Sequence, residues 1–98
     1  MAFGGEAMEV AYKVRISGRV TGVGFRYSMI NKANAFPELK GYVRNVGYGE
    51  VEALLQGKPE DIDQMLIWMR KGPPLARVDD MQVNEVPVSS GLGCFGIR

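Results

Sequence analysis

The sequence predicts an α+β domain in which an antiparallel sheet carries two helices on one face. Three observations support this. Val10, Tyr12, Val14 and Ile16 alternate with Ala11, Lys13, Arg15 and Ser17, the period of two expected of a half-buried strand. Ile62, Met65, Leu66 and Met69 recur at i, i+3, i+4 and i+7, one apolar stripe along a helix. Between them, Tyr42-Val43 and Val51 to Leu55 flank the glycine-containing stretch Asn45 to Gly49, which reads as an antiparallel hairpin with a bulge in its loop.

The remaining elements follow in order. After the first strand comes a glycine turn, and then Phe25, Met29, Lys32 or Ala33, and Phe36 at helical spacing. Pro37 stops this helix near Ala35, because proline lacks the N–H and restricts the residue before it. In the second helix Pro59 suits the first turn, Glu60, Asp61 and Asp63 complement the positive end of the dipole, and Arg70 and Lys71 the negative end. Gly72-Pro73-Pro74 terminates it. The methionine-bearing stripe of this helix reads as core. A strand is expected over Arg77 to Val86 with Met81 and Val83 inward, then a turn at Ser89-Ser90-Gly91 and a short strand in which Phe95 and Ile97 alternate. The order is that of the split βαβ, ferredoxin-like βαββαβ plan with a short extra C-terminal strand. Residues 1–8, with Gly4-Gly5 and little to bury, read as a loose leader with Met8 a second possible start, and 9–98 as the domain.

Composition narrows the functional classes. The 98-residue chain is 46% hydrophobic and 23% charged, a globular balance for one domain. A net charge of +1 argues against the broad cationic surface that tracks nucleic acid. Cys94 is the only cysteine, which rules out an internal disulfide and suits a reducing compartment. No apolar run approaches the roughly 20 residues that span a bilayer, and no secretory signal is evident, so the expectation is a cytoplasmic monomer that binds no membrane.

The absences also constrain chemistry. With no histidine, Ser-His-Asp and Cys-His arrangements, phosphohistidine and histidine metal sites are excluded. Cys94 lacks the Cys-x5-Arg arrangement of cysteine phosphatases and reads as a packing residue near the last strand. The P-loop signature is absent, and Gly22 to Tyr27 lacks the third glycine of a dinucleotide fingerprint. Asp61 and Asp63 read as helix N-terminal charges, and Asp79 and Asp80 as residues on opposite faces of a strand, so neither a metal nor a cofactor is implied.

What remains is Gly18-Arg19-Val20-Thr21-Gly22-Val23-Gly24-Phe25-Arg26, a small turn between a strand and a helix. Such a turn presents successive backbone N–H groups beside a positive helix end, and the arginine adds a planar cation suited to a pair of phosphate oxygens. A site of amides, one arginine and neutral polar groups offers no tuned general acid and no strong nucleophile. It can hold phosphate and orient water. That suffices for acyl phosphates, whose carboxylate leaving group has a conjugate-acid pKa of about 4 and departs unprotonated.

These residues resemble the first signature of the acylphosphatase family, Gly-(Arg/Lys)-Val-Gln-Gly-Val-x-Phe-Arg. Gly41-Tyr42-Val43-Arg44-Asn45 resembles its second, Gly-aromatic-(Ala/Val)-x-Asn. Gly72 to Asp79 and the Phe95-Gly96-Ile97-Arg98 ending are similar to bacterial members, so the resemblance runs from Glu9 to Arg98. It implies hydrolysis of an acyl phosphate to carboxylate and inorganic phosphate, with no cofactor, no metal and no covalent intermediate. By position, Arg26 would be the catalytic, phosphate-binding arginine. The amides of Thr21, Gly22, Val23, Gly24, Phe25 and Arg26 would form the cradle, and Asn45 would orient the attacking water. Inorganic phosphate or sulfate would compete as anions. Two departures stand out: Thr21 occupies the usual glutamine position, and Pro37 lies where the family's first helix usually continues.

Two other readings use the same residues. On spacing alone Asn45 is a turn residue, Gly22 and Gly24 are what any tight turn needs, and Arg15, Arg19 and Arg44 are solvated surface groups. Gly22 to Tyr27 also faintly echoes an RNA-binding motif, but that motif needs its aromatics on one face of an inner strand, and here the segment runs into a helix. A small-molecule regulatory domain of the same fold would ordinarily be joined to something to regulate.

Overall fold

The structure, a computed structural model, describes residues 8–98, so the leader expected at 1–8 lies, Met8 excepted, outside the described residues. Five strands and two helices follow one another as β1 (Val10–Arg19), α1 (Phe25–Ala33), β2 (Lys40–Asn45), β3 (Glu50–Gly57), α2 (Pro59–Lys71), β4 (Arg77–Val86) and β5 (Gly96–Ile97). The sheet order is β4-β1-β3-β2-β5. The first four strands pair antiparallel, whereas β5 adds in parallel to β2 through Tyr42 and Val43. This is the ferredoxin-like plan expected from the sequence, with the extra strand making the sheet mixed.

Burial follows the alternation. On β1, Val14 and Ile16 are fully buried, and the register sets them opposite Ala53 and Val51 of β3. Phe25, Met29 and Ala33 of α1 and Ile62, Met65 and Met69 of α2 close over the same face. Each of the larger of these side chains contributes about 1.5–3 kcal/mol by leaving water. α1 rests on β2, β5 and α2, and α2 on β3 and β4, so the two helices divide the sheet between them.

The face away from the helices holds two buried polar residues of β3, both satisfied. Gln56 exchanges two hydrogen bonds with the backbone of Ser89, donating at 2.7 Å and accepting at 2.9 Å. These bonds pin the segment that carries the chain from β4 at one edge to β5 at the other. Glu52 accepts a hydrogen bond from Arg44 Nε at 2.8 Å and is ion-paired with Arg44 Nη2 at 2.7 Å, with Arg15 and Lys13 at 3.6 and 3.9 Å. Burial alone pushes the Glu52 carboxyl up, but the Arg44 hydrogen bond and the three neighbouring cations together hold it below its ordinary value.

Some boundaries differ from the sequence expectation. α1 ends at Ala33, with tight turns from Ala35 N–H to the Lys32 carbonyl and from Phe36 N–H to the Ala33 carbonyl leading into Pro37. The hairpin strands run longer than their apolar cores because backbone pairing continues from Lys40↔Gln56 to Asn45↔Val51. Cys94 is exposed and makes only a single bridge to Lys40, which corrects its reading as a packing residue.

Candidate active site

The chain leaves β1 through a bulge between Ser17 and Gly18, buries Val20 in the core, and then turns out toward solvent. Gly22 and Gly24 adopt φ of 73° and 78°. Most residues pay about 1–2 kcal/mol for this left-handed backbone, which glycine adopts freely. Left-handed residues alternating with others are the arrangement that gathers N–H groups into an anion-binding concavity. Gly24 is the N-cap of α1 and provides no side-chain cap, and the first turn contains no acidic residue. Among the described residues, the amides of Thr21 through Arg26 have no hydrogen-bond acceptor in the protein. The positive end of α1 is therefore uncompensated from within.

Packing fixes where this helix begins. The buried Phe25 ring lies 5.4 Å from the Trp68 ring of α2 at a 57° tilt. A Cβ at Gly72 would stand 2.8 Å from Phe25 Cε2, so the glycine ending α2 leaves room for that ring. Arg26 follows directly, half-buried in the first turn. Among the described residues no carboxylate lies within 4 Å of its guanidinium.

Asn45 is the last residue of β2 and is exposed. It lies two residues beyond Val43, which is fully buried under the helices, and its register partner Val51 is buried there as well. The pleat therefore directs Asn45 to the helix-bearing side. Because β1 and β2 both run antiparallel to β3, they run the same way and end at the same end of the sheet. The glycine loop after β1, Arg26 at the start of α1 and Asn45 at the end of β2 thus share one end and one face, although Arg26 and Asn45 are not hydrogen-bonded to each other. The hairpin is tied to the loop's base by the Gly18 N–H, which donates to the Gly49 carbonyl at 3.1 Å.

A cleft of about 560 Å³ opens beside the loop. Thr21, Gly22 and Val23 of the loop line it together with Arg19, Tyr48, Arg77 and Asp79, while Arg26 and Asn45 do not. The Arg77 guanidinium grips the Asp79 carboxylate and holds it below its ordinary range. This cationic lining was not legible in the sequence, where Arg19 read as a surface group; only the β1–β4 register brings it together with Arg77. Among the described residues no three potential metal ligands cluster, and no helix is long and apolar enough to cross a membrane.

Comparison with known proteins agrees with this architecture. An acylphosphatase family model matches residues 12–97. The chain belongs to the acylphosphatase family. It is 47% identical over 74 residues to an acylphosphatase of Paraburkholderia xenovorans, spanning 76% of this chain and 75% of that one. The acylphosphatase structure from Coxiella burnetii superposes with a TM-score of 0.86 at 34% identity over 100% of both chains. That from Bacillus subtilis superposes with a TM-score of 0.83 at 32% identity over 91% of this chain and 98% of the other. Family membership makes this chain an acylphosphatase enzyme, and the substrate class it implies is a small-molecule acyl phosphate.

Proposed function

We infer that the enzyme hydrolyses acyl phosphates by holding the phosphoryl group over the amides of Thr21 to Arg26, with Arg26 gripping two of its oxygens and Asn45 orienting water for direct attack on phosphorus. The observation that supports this most is the run of amides without acceptors at an uncapped helix start, followed at once by an arginine without a carboxylate partner among the described residues. Both supply donors to an anion without spending binding energy on displacing an internal one.

The chemistry asks little else of the protein. Water attacks phosphorus, the bond between phosphorus and the bridging oxygen breaks, and the carboxylate departs with its electron pair and needs no proton at neutral pH. A phosphate oxygen of the substrate accepts the proton of the water, which accounts for a site without a general base. Catalysis is then positioning plus stabilisation of charge on the equatorial oxygens, to which an arginine can contribute on the order of 10³-fold. Asn45 carries a side-chain carbonyl and amide that can accept from and donate to a water. Thr21 contributes its backbone N–H in this scheme, so its side chain in the usual glutamine position is compatible with the cradle.

In this reading residues 9–98 act as one catalytic domain, working as a cytoplasmic monomer. Inorganic phosphate and sulfate compete for the cradle, and no nucleic acid or membrane takes part. Hydrolysis in water enriched in oxygen-18 tests the point of attack: one label per turnover is expected in phosphate and none in the carboxylate. Label in the carboxylate would mean attack at the acyl carbon and overturn the scheme, as would a phosphorylated protein trapped by acid quench.

A further inference from the structure

The cleft beside the loop exists because of a close backbone approach. Gly18 has φ of 133°, and a Cβ there would fall 2.2 Å from the Arg77 carbonyl oxygen. The start of β4 can press against the end of β1 only because position 18 is glycine. Beyond the bulge the register makes Arg19 and Arg77 direct cross-strand partners, and both line the cleft. Like charges directly opposite one another destabilise a sheet. Asp79 offsets Arg77 alone, accepting from Nε at 2.9 Å and from Nη2 at 3.3 Å. Among the described residues, no carboxylate lies within 4 Å of the Arg19 guanidinium. The lining therefore sets two guanidiniums against one carboxylate, in the same cleft as Thr21 to Val23.

We propose that Arg19, with Arg77 beside it, forms the subsite for the acyl group and selects acyl phosphates whose acyl group carries a second anion. The inference rests on the reading of the loop as the phosphate cradle. With phosphorus held at the amides, the cleft that borders Thr21 to Val23 has room for the departing acyl group. A subsite for a neutral or fatty acyl group would be walled by apolar side chains, as ligand pockets mostly are. This one meets the acyl group with arginines, and an anionic tail would relieve the opposition between them. Arg19 is then a specificity residue and leaves the bond-breaking step to the cradle.

The test compares 4-carboxybenzoyl phosphate with 4-carbamoylbenzoyl phosphate, rigid substrates of matched size that differ in the charge of the distal group. The quantity read is the ratio of their kcat/KM values, in the wild type, Arg19→Gln, and Arg19→Gln with Arg77→Gln. The carboxylate preference is expected to fall about tenfold in Arg19→Gln and further in the double variant, and to shrink at high salt in the wild type. The carbamoyl substrate should lose much less than the carboxylate, since its distal group carries no charge for Arg19 to meet. Arg15→Gln removes one positive charge from the middle of β1, where Arg15 faces Glu50 and Glu52 and lies outside the cleft, and should leave the ratio unchanged. An equal fall in Arg15→Gln would mean that overall charge is responsible and refute the subsite. A ratio that Arg19→Gln leaves unchanged, or an equal loss on both substrates, would also overturn it. Wild-type protein that turns over neither compound would remove the cradle reading and the subsite with it, whereas turnover of both without a charge effect would remove the subsite alone.

Discussion

Asn45 and Ile16 occupy one row of the sheet, on either side of Val51, which is the register partner of both. Two strand spacings separate them, roughly 10 Å. The glycine loop begins just beyond Ile16, so a water held at Asn45 would approach the loop from the side, across the end of β3. That geometry separates the role of Asn45 from that of the cradle. Asn45→Ala is expected to lower kcat by about 10²-fold or more while changing the inhibition constant of inorganic phosphate by less than about threefold. Steady-state kinetics with phosphate as competitor measures both. Equal losses in kcat and phosphate affinity would place Asn45 in the cradle itself.

Gly24 carries the turn that starts α1. A Cβ there meets nothing within 4 Å, so its φ of 78° is the whole of the cost. Gly24→Ala should therefore destabilise the fold by about 1–2 kcal/mol through backbone strain. If the loop relieves that strain by moving its amides, phosphate affinity falls as well. Chemical denaturation and phosphate titration of the same variant separate the two effects.

Inorganic phosphate should stabilise the wild-type protein against heat. At ten times its dissociation constant the gain is about 1.4 kcal/mol, and it grows with the logarithm of concentration. Arg26→Ala should reduce that shift, and Arg26→Lys should restore only part of it, because an ammonium keeps the charge and loses the fork. Differential scanning fluorimetry across a phosphate series provides the comparison.

Glu52 makes acid stability a property of the face opposite the site. Its folded-state carboxyl titrates below its unfolded value, so its contribution is fully present above the unfolded pKa, about 4.3. That contribution is lost as pH falls from there through the folded value. Glu52→Gln should cost about 1–3 kcal/mol at neutral pH by breaking a nearly buried charged hydrogen-bond pair. It should also flatten the fall in stability below pH 4. Urea melts of wild type and variant from pH 3 to 7 measure both effects.

The sequence conveyed the fold because periodicity and punctuation agreed in nearly every element. The alternation in β1, the stripe of α2 and its terminal Gly72-Pro73-Pro74 each pointed to what the structure contains. It was less informative where pairing extends beyond apolar residues. Lys40 and Asn45 belong to β2 through backbone hydrogen bonds, which leave no mark in composition. The parallel addition of β5 depends on contacts at Tyr42 and Val43, and Cys94 is carried past the core rather than into it.

Within the candidate site, the glycine turn that leads into α1 was legible, since it is written in consecutive residues. The placing of Asn45 at the same end of the sheet needs the parallel course of β1 and β2. The meeting of Arg19 with Arg77 needs a bulge whose only trace is one glycine among 13. Neither relationship is local, so neither could be read before the strands were paired.

The most direct test of the cradle is the hydrolysis of benzoyl phosphate, followed by ultraviolet absorbance in the presence of EDTA, for wild type and Arg26→Ala side by side. Turnover by the wild type that survives chelation, together with a loss of about 10³-fold or more in folded Arg26→Ala, is the predicted result. Turnover retained in the variant would contradict the account, because the phosphoryl group would then be held and activated somewhere other than at Arg26.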